Sequence, residues 1–467
     1  MLFPTLDFLL FFVVVVALMA ALHRHHGARK LVLVAASYFF YAQWNWRFCG
    51  LLGSSTLWTY GAGLALAATG QARWRRRIVA VAVGGHLLLL GVFKYFDFFV
   101  GSLNDLAHRL GLTHELPFVE ILLPVGISFF TFHGISYIVD VYRGDVAVCR
   151  RLADMALYIS FFPQLVAGPI VRAAFFLPQL YRENAVPIAV GPPLLLILGG
   201  LFKKVVVANY LATELVDPVF FDPAGFSTLD LLAAAYGYAV QIYCDFSAYS
   251  DMAIGLAGLL GYWFPPNFNQ PYRAQSVREF WRRWHISLSS WLRDYLYKPL
   301  GGSHGGRWRT ARNLMVTMLL GGIWHGAAWK FVFWGGLHGL GLTVERFLAP
   351  NGWGRSPLAR VLATVVVFHF VCLGWIFFRA DSFDTVLIYL GTMAHFGSGV
   401  TQLSPFTAAL IGLGMALQFV SPPAVQRLAR ALVLWPEWAL GAASGAVVVA
   451  VSALGPEGVA PFIYFRF

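Results

Sequence analysis

The sequence has few charged residues for its length. Asp, Glu, Lys and Arg make up 12% of its 467 residues, against about 25% in ordinary soluble domains. Hydrophobic residues make up 58%, and apolar runs of the length that spans a bilayer as an α-helix recur along the chain. The ten-residue alternating segments of a transmembrane barrel do not occur. The sequence therefore predicts an all-α polytopic membrane protein, a helical bundle of about eleven crossings.

Cysteine is also scarce, and the common nucleotide-binding and hydrolase motifs are missing. The four cysteines stand in apolar surroundings without CxxC or CxxH spacing, so we interpret them as small core residues. There is no Gly-x-Ser-x-Gly elbow, P-loop or Rossmann fingerprint. We expect no metal and no bound cofactor. An internal repeat, which would favour an inverted-repeat transporter, is also absent.

Positive charge is concentrated in a few short segments. Residues 271–312 contain nine Lys and Arg residues against Glu279 and Asp294. Such a patch could bind nucleic acid, but in a membrane protein the positive-inside rule accounts for it, so we expect a cytoplasmic loop and no nucleic-acid partner. Further basic clusters at residues 23–30 and 73–77 predict a periplasmic N-terminus in the cell inner membrane, in contact with its lipids.

Residues 1–467 are predicted to form a single integral membrane domain. Residues 1–120 supply N-terminal spans, 121–345 a catalytic core and 346–467 C-terminal spans. Within the core, residues 152–171 have arginines at both ends and are interrupted by Pro163 and by Gly168-Pro169, which break helical hydrogen bonding. We expect a re-entrant segment that lines the cytoplasmic side of a cavity.

His325 is the strongest candidate for catalysis. It lies in GGIWHGAAW, where small residues allow close approach of backbone or substrate. A neutral imidazole can act as a general base near neutral pH. The alternative is a histidine that is simply hydrogen-bonded between helices.

His285, in WRRWHIS, is the second candidate. Its neighbours are typical of an amphipathic interfacial helix, whose arginines could hold the phosphates of a nucleotide-bearing donor. We therefore expect Arg282, Arg283 and Trp284 to bind the donor, together with Trp324 beside His325. The alternative is a surface helix with a spectator histidine.

Two further residues are expected to support the site without reacting. His338, thirteen residues after His325, is interpreted as a packing residue. Asp245 belongs to a polar group within an otherwise apolar run, where acids are costly and are kept for a functional or structural network.

Long stretches of the chain resemble the membrane-bound O-acyltransferase family, in particular its bacterial alginate O-acetylase branch. The stretches are REFWRRWHISLSSWLRDYLYKPLGG, GGIWHGAAWKFVFWGGLHG, DFSAYSDMAIGLAGLLGYWFPPNFNQPY, LPVGISFFTFHGISYIVDVYRG and FFPQLVAGPI. The resemblance implies a helical funnel open to the cytoplasm for an acyl thioester. It also implies that His325 is the catalytic histidine and that His285 is the second motif position.

The expected activity is transfer of an acetyl group from a cytoplasmic donor, acetyl-CoA, towards an extracytoplasmic polysaccharide such as alginate. His325 would be the general base, and a periplasmic partner protein would receive or pass on the acetyl group. Two alternatives stay open. One is acylation of cellulose, peptidoglycan or teichoic acid, and the other is a transporter or flippase that carries out no chemistry.

Overall fold

The structure, a computed structural model, describes residues 2–112, 116–119, 121–166, 168–182, 189–349, 356–396 and 399–455. Helices make up 78% of it, and these residues contain no strand. The prediction of an all-α protein is confirmed. The part described falls into two compact units, Thr5–Pro187 with Leu260–Phe264, and Leu2–Pro4 with Ile188–Leu259 and Pro265–Phe467. The predicted single domain stays a prediction.

The first unit is built from nine α-helices. They are α1 (Leu6–Ala21), α2 (His26–Asn45), α3 (Phe48–Ala68), α4 (Ala72–Leu90), α5 (Phe96–Arg109), α6 (Ile127–Arg143), α7 (Leu152–Ser160), α8 (Phe162–Leu165) and α9 (Ala173–Leu180), with a π-helical stretch at Gly91–Tyr95. Helix α6 is its core element, because it is buried along nearly its whole length and packs on α3 and α4. Gly144 ends it in the left-handed region at φ 84°, as glycine does at helix C-termini.

The predicted re-entrant segment, residues 152–171, is broken in the structure. Helix α7 ends at Ser160, Phe161 leaves the helical region with ψ 111°, and α8 starts with Pro163 in its first turn, where a missing N–H costs nothing. The break is buried, and Asp154 of α7 pairs with Lys30 of α2 at 2.7 Å. The break agrees with the prediction, whereas the return to the same membrane side stays a prediction.

The second unit contains the remaining helices. They are α10 (Gly191–Phe202), α11 (Asn209–Leu211), α12 (Asp217–Phe221), α13 (Thr228–Leu259), α14 (Val277–Arg283), α15 (Ile286–Leu292), α16 (Arg307–His325), α17 (Trp329–Leu348), α18 (Pro357–Arg379), α19 (Phe383–Ala394), α20 (Pro405–Ala416), α21 (Pro422–Val433) and α22 (Glu437–Leu454). Short π-helical stretches occupy Lys203–Ala208, Ala212–Val216 and Arg293–Tyr297, and 3-10 turns occupy Pro223–Gly225, Pro271–Arg273 and Leu417–Phe419.

Two ion pairs, one of them buried, connect α13 to the chain that follows α10. Lys204 pairs with Asp245 at 2.8 Å, and both side chains are nearly inaccessible. Lys203 contacts Asp251 at 2.5 Å and donates to Ser247. The two lysines that interrupt an apolar run in the sequence therefore pair with two of the three acids of the next long helix. Pairing is what makes buried charges tolerable in an apolar interior.

Helices α16 and α17 form a closely packed hairpin. Gly322 and Gly335 meet at the crossing, since a Cβ on either would overlap backbone atoms of the other helix. Small residues at such crossings let helix backbones approach closely. This hairpin carries both His325 and His338.

Among the residues that the structure describes, four helical stretches are long and apolar enough to cross a membrane. They are Ala72–Arg109, Gly191–Phe221, Pro357–Arg379 and Glu437–Leu454, and a bent pair, Pro405–Phe419 with Pro423–Val433, would be a fifth. Several apolar helices therefore agree with a polytopic membrane protein. The predicted number of crossings is higher and stays a prediction.

Candidate active site

His285 lies in a tight turn and not within a helix. Helix α14 ends at Arg283, α15 begins at Ile286, and His285 between them adopts φ 43° in the left-handed region. The continuous amphipathic helix expected from the sequence is therefore wrong at this point. The physical reason is competition from another segment, because Asn269 donates its backbone N–H to Arg283 and Asn267 accepts that of Ile286.

The side chain of Asn267 holds this turn together. Its Oδ1 accepts hydrogen bonds from the backbone N–H of Ser287 at 3.1 Å and from the Ser287 hydroxyl at 2.8 Å. The same oxygen lies 3.2 Å from Nδ1 of His285. Its Nδ2 donates to the hydroxyl of Ser250 on α13 at 3.0 Å. All four side chains are buried, so the turn is secured to α13 from within the protein.

His285 is fully buried, and two aromatic side chains pack against it. Its ring packs edge-on against Phe246 of α13, with ring centroids 4.6 Å apart, and its centroid lies 6.2 Å from that of Trp324. In the sequence, His285 lies outside the helical stretches that are long and apolar enough to cross a membrane. Burial lowers the pKa of His285 from its ordinary value of 6.5 to about 3, because loss of water disfavours the charged imidazolium. The ring is therefore neutral at physiological pH.

His325 is the last residue of α16 and is 4% exposed. Its ring packs against Trp324, Trp334 and Phe378, with centroids 5.0, 4.9 and 5.4 Å away. The helix ends here because the next residue, Gly326, is extended at φ −165°. A side chain at Gly326 would overlap Phe331, so this glycine allows α17 to pack tightly against the end of α16.

Trp324 connects the two candidate catalytic histidines. It contacts the His285 ring and the His325 ring, and it is itself buried. Residues forty positions apart in the sequence are thus brought into one aromatic cluster. Imidazoles held in a cluster that excludes water have the environment of a proton-transfer site.

His338 belongs to the same cluster on the α17 side. It is fully buried, and its ring lies 4.8 Å from Trp334, 5.2 Å from Trp281 and 5.4 Å from Phe370. Neither ring nitrogen has a hydrogen-bond partner among the residues that the structure describes. These contacts agree with the packing role expected for His338, and any part in catalysis stays a prediction.

A cavity of about 430 Å³ opens beside this cluster. Its lining includes Ile286, next to His285, and Trp281, which contacts His338. Four arginines also line it: Arg278, Arg282, Arg293 and Arg346.

Two of these arginines are held by acids within the unit. Arg278 lies 3.7 Å from Glu345, and Arg293 pairs with Asp294 at 2.9 Å. Arg282 and Arg346 make no ion pair within the described part of the chain. Two guanidinium groups at one cavity form a natural binding site for phosphate.

The structure separates the four residues expected to contact the donor. Arg282 lines the cavity, whereas Arg283, Trp284 and Trp324 do not. Arg283 pairs with Glu279 at 2.7 Å. Trp284 is 1% exposed and packs on Trp375 at 4.9 Å, as a core residue does. Direct contact of these three with a donor stays a prediction.

Asp245 lies one position from Phe246, the residue that packs on His285. Its carboxylate pairs with Lys204, so any support that it gives to His285 passes through α13. The role expected for Asp245 stays a prediction.

Three residues of the site escaped the sequence analysis. Asn267 lies in FPPNFNQPY, which the sequence analysis used only as part of the family resemblance. Glu345 accepts the backbone N–H groups of Val277 and Arg278 at the start of α14, where a carboxylate interacts favourably with the positive end of the helix dipole. Arg346, the next residue, was not named as a donor-binding candidate.

Comparison with known proteins identifies the family of the chain. The model of MBOAT, the membrane-bound O-acyltransferase family, matches residues 150–377. The chain is 44% identical to the "Probable alginate O-acetylase AlgI" of Azotobacter vinelandii, over 77% of this chain and 71% of that protein. The Pseudomonas aeruginosa protein of the same name is 43% identical over 80% and 71%. A peptidoglycan O-acetyltransferase of Helicobacter pylori is 35% identical over 76% and 71%.

The matched region runs from the start of α7 almost to the end of α18, so it includes Asn267, His285, His325 and the arginine-lined cavity. Identity above 40% over most of the chain goes well beyond a shared pattern of apolar helices. The chain therefore belongs to the membrane-bound O-acyltransferase family and is an O-acyltransferase of a membrane.

Proposed function

We propose that the protein moves an acetyl group from a cytoplasmic thioester, acetyl-CoA, across the inner membrane for O-acetylation of an extracytoplasmic polysaccharide such as alginate. The observation that carries the proposal is the contact of Trp324 with both His285 and His325, beside a cavity lined by four arginines. The names of the relatives above support acetyl as the acyl group and a cell-envelope polymer as its destination.

The donor enters at the arginine-lined cavity in this proposal. Arg282 and Arg346 hold its phosphates, since planar guanidinium groups match phosphate oxygens in pairs. Ile286 at the cavity wall is the next residue after His285. Trp281, also at the wall, contacts His338. A thioester arm that passes these two side chains reaches the histidine cluster.

His325 acts as the general base. Its imidazole takes the proton of the acceptor hydroxyl as that oxygen attacks the thioester carbonyl carbon. The carbon–sulfur bond then breaks, and the imidazolium returns its proton to the leaving thiolate. The products are the acetyl ester and the free thiol, and His325 is neutral again. Aromatic enclosure keeps water from hydrolysing the thioester during this exchange.

The first acceptor is a periplasmic protein that passes the acetyl group to the polymer. The proposed orientation follows the charge distribution, with the basic segment of residues 271–312 in the cytoplasm and the N-terminus in the periplasm. Peptidoglycan is the second candidate polymer, since the Helicobacter pylori relative is a peptidoglycan O-acetyltransferase.

The test is acetyl transfer by the purified protein in vesicles. Acetyl-CoA labelled in the acetyl group is supplied on one side, and alginate or peptidoglycan on the other, with and without the periplasmic proteins encoded beside the polymer-synthesis genes. We expect label on the polymer with wild-type protein and a loss of about 100-fold or more with His325→Ala. His395→Ala is the matched control, because His395 is an exposed histidine at the end of α19.

The readouts separate the alternatives. Label on peptidoglycan, cellulose or teichoic acid but not on alginate would change the polymer and keep the chemistry. Passage of intact donor without loss of its acetyl group would show a transporter. Wild-type transfer by His325→Ala would refute the role of His325 as the base.

A further inference from the structure

The orientation of the Asn267 side chain can be assigned without ambiguity. The backbone N–H of Ser287 can act only as a donor, and it points to the atom assigned as Oδ1 at 3.1 Å. On the opposite side of the amide group, Nδ2 lies 3.0 Å from the hydroxyl of Ser250. If Oδ1 and Nδ2 were exchanged, the NH₂ group of Asn267 would face the backbone N–H of Ser287, and two donors would be opposed. The oxygen therefore faces the His285 turn.

This assignment decides where the proton of His285 is. Nδ1 of His285 lies 3.2 Å from Oδ1 of Asn267, and an amide oxygen can only accept. A neutral imidazole carries one proton, on one of its two nitrogens. The Ser287 hydroxyl lies 3.4 Å from Nδ1, but its single proton is donated to Oδ1 of Asn267 at 2.8 Å, so it does not serve Nδ1. The proton of His285 is therefore on Nδ1, because an unprotonated Nδ1 would place its lone pair against that of Oδ1.

The other nitrogen of His285, Nε2, is left as a bare acceptor. It is buried in a residue of 0% exposure, and it has no hydrogen-bond partner among the described residues. A buried acceptor without a donor destabilises a folded protein. Such an acceptor is expected where a ligand supplies the missing donor.

We propose that Asn267 is a positioning residue for acyl transfer, which holds His285 with its proton on Nδ1 so that Nε2 can accept a proton or a hydrogen bond from a bound substrate. This inference rests on the proposed acyl transfer and goes beyond it. Neutral His285 cannot donate from Nε2, so it does not protonate the leaving thiolate. That proton comes from His325, which took it from the acceptor hydroxyl.

The test reads the His285 tautomer directly. The full-length protein is labelled with ¹⁵N-histidine, reconstituted in vesicles without substrate, and studied by solid-state NMR, in which protonated and bare ring nitrogens give well-separated signals. His285→Gln assigns the signals by their disappearance. We expect a protonated Nδ1 and a bare Nε2 in the wild type.

Two substitutions at Asn267 separate positioning from folding. Asn267→Asp keeps the accepting oxygen, so the His285 signals keep their pattern and the protein retains most of its transfer rate. Asn267→Leu removes the acceptor, so the pattern changes and kcat falls about tenfold or more, with little change in KM for the donor. Asn313→Leu, which removes another buried asparagine of the same unit, leaves the His285 signals unchanged.

Two results would overturn the proposal. One is a wild-type spectrum with a protonated Nε2 and a bare Nδ1. The other is an unchanged tautomer in folded Asn267→Leu. If that variant does not fold, the wild-type and Asn267→Asp spectra decide the question. The spectra need no substrate, so they stand even if acetyl transfer to every polymer fails, which would refute the proposed function alone.

Discussion

Gly322 of α16 and Gly335 of α17 face each other with no side chain between them. A Cβ added to Gly335 would lie 3.1 Å from the Cα of Gly322, and it would overlap the backbone oxygen of Met318. The contact sets the distance between the helix that carries His325 and the helix that carries Trp334. Because His325 packs against Trp334, the geometry of the histidine cluster depends on these two glycines.

Gly335→Ala is expected to destabilise the protein by about 1–3 kcal/mol, because the added methyl group overlaps backbone that cannot rotate away. The rate of acyl transfer is expected to fall, because the added methyl group pushes α17 away from α16. Gly336→Ala is the matched control, since its Cβ would meet only Leu319 at an ordinary 3.5 Å. Thermal unfolding in detergent and transfer rates check both. Equal stability of the two variants would contradict the close contact.

Arg282→Gln and Arg346→Gln are each expected to raise KM for acetyl-CoA about tenfold, with a smaller change in kcat, because each removes a charge-assisted hydrogen bond to phosphate. Added salt should weaken donor binding by the wild type more than by the double variant.

The control for these arginines is Arg309→Gln. Arg309 belongs to the same basic segment, but it does not line the cavity. If all three substitutions change KM equally, general surface charge and not the cavity would explain donor binding.

Asp245→Asn is expected to destabilise the protein by about 3–5 kcal/mol, because it leaves the Lys204 ammonium buried without its counter-charge. Replacing both partners, as Lys204→Met with Asp245→Leu, should restore most of the stability. Resistance to proteolysis and thermal unfolding measure the difference.

The double replacement also tests the expected support of His285 by Asp245. If the stable double variant transfers acetyl at the wild-type rate, Asp245 serves stability alone. If it stays slow, the carboxylate contributes to the site through Phe246 and α13.

Acid is expected to destabilise the protein partly through His285. The pKa of His285 is lowered by burial from 6.5 to about 3 in the folded protein. Between these values the unfolded chain binds more protons, so the free energy of unfolding falls as the pH falls from about 6.5 to about 3. His285→Gln should lose less stability over this range than the wild type does.

Unfolding measured at several pH values in this range checks that expectation. His395→Gln, a substitution of an exposed histidine, should keep the wild-type dependence on pH. An identical pH dependence in His285→Gln and the wild type would show that the His285 ring is not protected from protonation by burial.

Local hydropathy determined the positions of many helices. The long apolar run that contains Asp245 forms a single helix, α13 (Thr228–Leu259). Helix formation in an apolar run depends on the run itself, because its backbone groups must pair within the segment. The break between α7 and α8 agrees with the prediction from Pro163 and Gly168-Pro169, because proline cannot donate a helical hydrogen bond. The continuous helix through His285 failed because Asn267 and Asn269, distant in sequence, bind its backbone.

Residue chemistry and short motifs were enough to select His285 and His325 as candidates from the sequence, and their catalytic roles stay predictions. The tertiary structure alone decided which residues meet. In it, Trp324 packs against both histidines and Trp284 is buried in the core. Arg346 and Arg282 line the same cavity. The tertiary structure also placed Asn267 against His285. Such contacts depend on how the helices pack and on backbone hydrogen bonds between segments distant in sequence. A short sequence pattern contains neither kind of information.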